Sequence, residues 1–207
     1  MVEFRPAIIE ELKIGNLTID NQPVVIVKDA DLGFELFGLP IFKADGIIAW
    51  LVFKNSVIEI DYKNKLTTIS KSVLQKSLDR NLFCLGYPIV TLRSPEGIPL
   101  NFGFDSGSQS TSIKHNIFRK IEVDRIENAS GIVMGAGGSE TVSKQRAYDV
   151  TVYLNDYRLD SDSVSTTQGV KGTALLKPDG KPGSNIGLDG KIIMDHLNGR
   201  FDLRLEK

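Results

Sequence analysis

Residues 100–108 read Leu-Asn-Phe-Gly-Phe-Asp-Ser-Gly-Ser. Apolar residues alternate up to Phe104, so a strand is expected that delivers the carboxylate of Asp105 into a tight turn. Gly107 would permit a positive φ or a close backbone approach there. Ser106 can hydrogen-bond locally or across to a partner segment. A carboxylate so placed polarises a water when a second carboxylate stands beside it. Two close acids share one proton, so one serves as base and the other as acid. Asp-Ser-Gly is equally an ordinary β-turn sequence, and these residues alone leave both readings open.

Other candidates carry less. Gly135-Ala136-Gly137-Gly138 follows an apolar run, as a dinucleotide loop would. Glu140 stands where the third glycine belongs, and no βαβ pattern surrounds it. No nucleophile-elbow pattern occurs. His115 and His196 are the two histidines and Cys84 the one cysteine, which excludes a cysteine or histidine-rich zinc site and an intrachain disulfide. Cys84 is expected as a small buried hydrophobe and Trp50 as core.

The elements that must position Asp105 are expected to be strands. Runs at 24–27, 57–60, 89–92, 150–154 and 201–205 are rich in β-branched or aromatic residues and bounded by turn residues. Residues 57–62 and 66–69 read as a hairpin around Lys63-Asn64-Lys65. Two short helices are expected, 70–78 and 112–121, capped by Ser70 and Ser112. Residues 177–184, with two prolines and two glycines, form a loop.

Composition narrows the partners. The 207 residues are 41% hydrophobic and 25% charged, with 25 basic and 26 acidic side chains. No basic excess exists to neutralise phosphates, so nucleic acid is not expected as a partner. No apolar run reaches the roughly 18 residues of a membrane span. The N-terminus lacks the basic and apolar regions of a signal peptide.

Two stretches echo each other. Asp45–Phe53 resembles Asp189–Leu197, and Leu12–Leu17 resembles Val152–Tyr157. The spacing is too long for a solenoid and implies two related lobes.

Residues 102–108 then resemble the apolar-x-apolar-Asp-Thr/Ser-Gly-Ala/Ser motif of the aspartic proteases, in particular the bacterial pepsin- and retropepsin-like aspartyl proteases. Gly131–Ser139 is similar to that family's mobile flap, Gly187–Asp195 to its Asp-Gly-apolar-apolar-Gly-x-Asp segment, and Arg200–Leu205 to its final strand. The resemblance implies a mainly β, acid-protease barrel lobe with few short helices. Residues 79–207 would be one complete lobe, and residues 1–78 the C-terminal half of a preceding one. It implies a hydrolase in which Asp105 supplies one of two catalytic aspartates, with Ser106 and Gly107 shaping the turn. Gly135, Ala136, Gly137 and Gly138 would close over an extended peptide or unfolded protein. No cofactor and no metal is implied.

The sequence departs from the family in carrying one Asp-Ser-Gly, and in Ala49 and Ile193 where glycine is expected. A second aspartate would come from a homodimer or from a missing N-terminal lobe. With such a lobe upstream, a targeting segment would also lie upstream and fit a periplasmic or secreted protein. The alternative is a catalytically incomplete lobe that binds peptide or protein without hydrolysis.

Overall fold

The computed structural model describes residues 3–36, 39–76, 79–84, 86–121, 123–135, 138–167 and 178–205. These are mainly β, joined by loops and short 3-10 turns, with no α-helix among the described residues. In chain order the strands are β1 (Phe4–Ile14), β2 (Leu17–Val27), β3 (Gly33–Leu36), β4 (Leu39–Lys43), β5 (Ser56–Asp61), β6 (Leu66–Lys71), β7 (Leu82–Cys84) and β8 (Pro88–Arg93). There follow β9 (Pro99–Gly103), β10 (Ser112–Lys114), β11 (Ile126–Gly135), β12 (Gly138–Leu154), β13 (Tyr157–Thr167), β14 (Gly180–Lys181), β15 (Gly190–Asp195) and β16 (Arg200–Leu205).

The chain divides into two compact units, 1–52 with 130–143 and 53–129 with 144–207. The division falls after Val52, whereas the sequence reading draws a line near residue 78. Residues 53–78 pack in the second unit because β5 pairs with β15, as in Ile58↔Met194 and Ile60↔Ile192. Compactness and lobe ancestry are separate matters, and the ladder decides only the first.

The first unit holds two hairpins, β1–β2 and β3–β4. In β1–β2, Phe4↔Val27, Pro6↔Val25 and Ile8↔Pro23 share one face of a two-stranded ribbon. Phe4 is 65% exposed and Ile8 68%.

An eight-stranded sheet has the order β11-β12-β13-β10-β14-β9-β8-β7, and its strands belong to the second unit except for 130–135 of β11 and 138–143 of β12. An extra bridge, Tyr153↔Arg93, joins β12 to β8 and closes the six inner strands into a ring. Alternate side chains point inward: Val90 and Leu92 from β8, Leu100 and Phe102 from β9, Val150, Val152 and Leu154 from β12. Asp149 sits in the left-handed region at φ 53°. The inward sequence therefore steps from Ala147 to Val150 before alternation resumes. Both parallel pairings in the ring involve short strands, β10 with β13 and β14 with β9.

A second sheet, β16-β15-β5-β6, is antiparallel throughout. Ile58, Ile192, Met194, Phe201 and Leu203 are its buried apolar side chains. The Phe201 ring meets the Phe104 ring edge-on at 5.1 Å, tying this sheet to the strand end that precedes Asp105. The Asn81 amide acts as a strand partner: Phe201 N donates to its Oδ1 at 2.8 Å and its Nδ2 donates to Phe201 O at 2.8 Å.

Several expected elements differ. Residues 112–121 are not a helix. Ser112–Lys114 is drawn into ladders on both sides, Ser112↔Ser165 and Ser112↔Lys181, so only His115–Arg119 curl, as a 3-10 turn. Ser70 likewise pairs with Val57 in β6, and residues 72–75 run without helix. Residues 77 and 78 of the helix expected over 70–78 lie outside the described residues. The turn at Lys63-Asn64-Lys65 is present, with Asn64 N and Nδ2 bonded to the Asp61 carboxylate at 2.8 and 2.9 Å.

The two echoed stretches have different outcomes. Leu12–Leu17 and Val152–Tyr157 each enclose a two-residue hairpin turn, Ile14↔Leu17 and Leu154↔Tyr157. Asp45–Phe53 is irregular and ends in a 3-10 turn over Trp50–Phe53, while 190–195 is strand β15. The reason is the ladder: β15 has a partner on each edge, β16 and β5. Trp50, expected as core, is only half-buried, and Ile47 is exposed, whereas Phe53 at the end of the stretch is buried.

Candidate active site

Asp105 stands where β9 ends. Phe104 N still bonds to Pro88 O at 2.9 Å, extending the β8–β9 ladder past Gly103. Asp105 N turns instead to Pro182 O at 3.1 Å. Ser108 N then donates to Asp105 O at 3.1 Å, closing a turn over 105–108. Inside it Gly107 N donates to Asp105 Oδ1 at 3.1 Å, an Asx-turn that fixes the carboxylate's direction. The far end is pinned as well, since Ser184 N and Oγ donate to Ser108 O at 2.7 and 3.0 Å.

The expected role of Gly107 changes. Its φ is not positive, and a Cβ there would meet only Asp105 Oδ1 at an ordinary 3.5 Å. What Gly107 supplies is its N–H. The close approach falls at Gly183, where a Cβ would lie 2.5 Å from Ser108 O and 2.8 Å from Ser110 N. Ser106 is exposed, and its described contact is through the carbonyl, which accepts from Tyr62 Oη at 3.5 Å.

Three further residues join the site. Lys181 Nζ lies 3.2 Å from Asp105 Oδ2, with the lysine side chain 27% exposed and the aspartate 38%. Tyr87 donates its hydroxyl to Gly103 O at 3.2 Å. Burial first, and then the charge of Asp105, push the phenols of both Tyr62 and Tyr87 up, so both stay protonated donors. Asp105 is therefore flanked by an ammonium and two neutral phenols, and none of its described bonding partners is a carboxylate.

Sequence reading missed Lys181, Tyr62 and Tyr87. Lys181 lies in a stretch read as a plain loop. Nothing in its spacing to Asp105 signals that β14 threads between β9 and β10. Tyr62 and Tyr87 sit beside strand ends, and only the fold brings them to Asp105.

The hairpin expected around Gly131–Ser139 is present. Gly135 ends β11 and Gly138 begins β12, while Ala136 and Gly137 lie outside the described residues. His115 is exposed and meets Phe118 edge-on at 6.2 Å. His196 is half-buried in the β15–β16 turn, its imidazole pushed down by burial against the opposing pull of Asp195. Burial pushes the Cys84 thiol up, the opposite of an activated thiolate. Among the described residues no group of three or more His, Cys, Asp or Glu is arranged to hold a metal. Among the described residues no helix is long and apolar enough to cross a membrane.

No protein-family model matches the chain, and no curated protein matches it.

Proposed function

We propose that this chain supplies one catalytic aspartate, Asp105, of an aspartic-type endopeptidase with a retropepsin- or pepsin-like barrel lobe. The observation that carries this reading is the Asp105 turn. A carboxylate leaves a buried strand end, is aimed by the Gly107 N–H, and stays 38% exposed with Lys181 Nζ 3.2 Å from its other oxygen. The ring of strands behind it and the β11–β12 hairpin are consistent with such a lobe.

Hydrolysis needs a second carboxylate, brought by a second copy or a preceding lobe. The pair would hold one proton and one water. The ionised member takes a proton from the water as it attacks the peptide carbonyl, and the protonated member supplies one to the carbonyl oxygen. The protonated Tyr62 and Tyr87 are donors at the rim. An extended peptide would pair through its backbone with exposed strand edges.

Cleavage of an unfolded, fluorescein-labelled protein at about pH 4 to 6 tests this, that being the acid range of paired carboxylates. Asp105→Asn is expected to abolish it, and cleavage retained in that variant overturns the role of Asp105.

One observation favours a second reading. Lys181 already neutralises Asp105, so the aspartate is satisfied without a carboxylate partner. That suits a module that binds peptides without cutting them. Peptide binding with no cleavage under any assembly state would support it.

A further inference from the structure

Both oxygens of Asp105 are occupied. Oδ1 accepts from Gly107 N and Oδ2 faces Lys181 Nζ at 3.2 Å. Lys181 is also less free than a surface lysine. Its backbone lies on β14, in register with Ser112 of β10, and the next residue, Pro182, accepts the Asp105 N–H itself. Gly183, the residue after that, is wedged against Ser108 and Ser110. The strand that carries the cation and the turn that carries the carboxylate are thus tied within one residue of the pair.

A second carboxylate cannot close on Asp105 while this cation stays. Gly107 N holds Oδ1 and Lys181 Nζ stands 3.2 Å from Oδ2, so neither oxygen is open to share a proton with a partner acid. The cation is nevertheless one that can leave. Lysine is a point charge on a flexible stem, and it lacks the two-pronged hold that arginine has on a carboxylate.

We propose that Lys181 is a latch on Asp105, a regulatory counter-ion that holds the site in an unassembled form and swings away when the second carboxylate arrives. The proposal rests on the endopeptidase reading.

Two measurements on the full chain test it. A water-soluble carbodiimide couples a carboxylate to an amine in direct contact, forming an amide with net loss of one water. Applied to the folded protein, it is expected to join Asp105 to Lys181, as mapped by peptide mass spectrometry, with Asp105→Asn as the blank. Absence of that cross-link overturns the latch whatever the protein's activity. Cleavage of the fluorescein-labelled unfolded protein is the second measurement. Lys181→Met is expected to raise kcat/KM, and Lys181→Arg to lower it, each by about two- to fivefold, the scale of a partly exposed ion pair. A merely structural lysine would lose activity in Met and keep it in Arg, the reverse order. Wild-type cleavage left unchanged in Lys181→Met overturns the latch and spares the endopeptidase reading. A cross-link with no cleavage by either form overturns that reading and the latch with it.

Discussion

The hairpins β1–β2 and β12–β13 have the same local design and opposite surroundings. Each turns through two residues, and each carries one residue at positive φ within a strand, Asn21 at 52° and Asp149 at 53°. In β12–β13 the apolar residues Ala147, Val150, Val152, Leu154 and Val164 are buried. In β1–β2, Phe4, Ile8, Val25 and Ile26 stay exposed. The difference is made by what lies beside each hairpin. β13 has β10 on its other edge and β12 touches β8, so their inner faces close on a common core. Pattern makes a ribbon, and only closure of the sheet makes burial. Two strands alone are marginal in water, whereas a ring shields its inner face on every side.

The largest effect expected from this contrast is on stability. Leu154→Ala leaves a cavity in the ring and should cost about 2–5 kcal/mol in urea unfolding. Ile8→Ala in the exposed ribbon should stay within about 0.5 kcal/mol. An equal loss at Ile8 would show that the ribbon has a covered face in solution and would break the comparison.

A smaller effect separates two glycines. Gly183→Ala must push a methyl into the backbone of Ser108 and Ser110, and should cost about 1–3 kcal/mol. Gly46→Ala, in the first unit, meets nothing within 4 Å and should be near neutral. Thermal melts of the two variants check this. Gly183→Ala should also weaken the carbodiimide cross-link, because it displaces the Asp105 turn.

The smallest effect is pH dependence in the second unit. The folded imidazole of His196 lies below its ordinary value of 6.5 because burial disfavours its charge. As pH falls below that value the unfolded chain takes up the proton first, so stability drops until the folded imidazole is also protonated. Above it both states are neutral and the contribution is flat. His196→Gln should flatten the slope of unfolding free energy on the acid side of neutrality, and an unchanged slope would remove His196 from the account.

Much of this was legible in the chain. Alternation and turn residues point to strands, and the hairpin at 57–69 follows from them, whereas the hairpin at 131–139 was expected only from the family resemblance. The Asp105 turn was legible because a strand, an acid and small residues stand side by side. Local reading failed where partners come from afar. Ser112–Lys114 has a helix-like pattern and a good capping residue, yet two flanking strands claim its backbone bonds. Residues 190–195 resemble 45–53, yet only the former have strands on both edges. Lys181 looked like loop filler because its significance depends on β14 passing between β9 and β10, some 76 residues along the chain from Asp105.

The ring has broad joints and narrow ones. Along β8–β9 and along the 146–154 half of β12 with β13 the rungs are many. Across β14 the ring holds at Gly180↔Phe102 on one side and at Ser112 and Ile113 on the other, and β12 meets β8 at Tyr153↔Arg93. The barrel is thus two half-shells, β8–β9 and β10–β13–β12, stitched by short seams on opposite sides. The chain passes from one shell to the other through residues 104–111, the stretch that holds Asp105, and Lys181 belongs to the strand that forms the adjoining seam. The carboxylate and its cation thus sit on the two segments that join the shells.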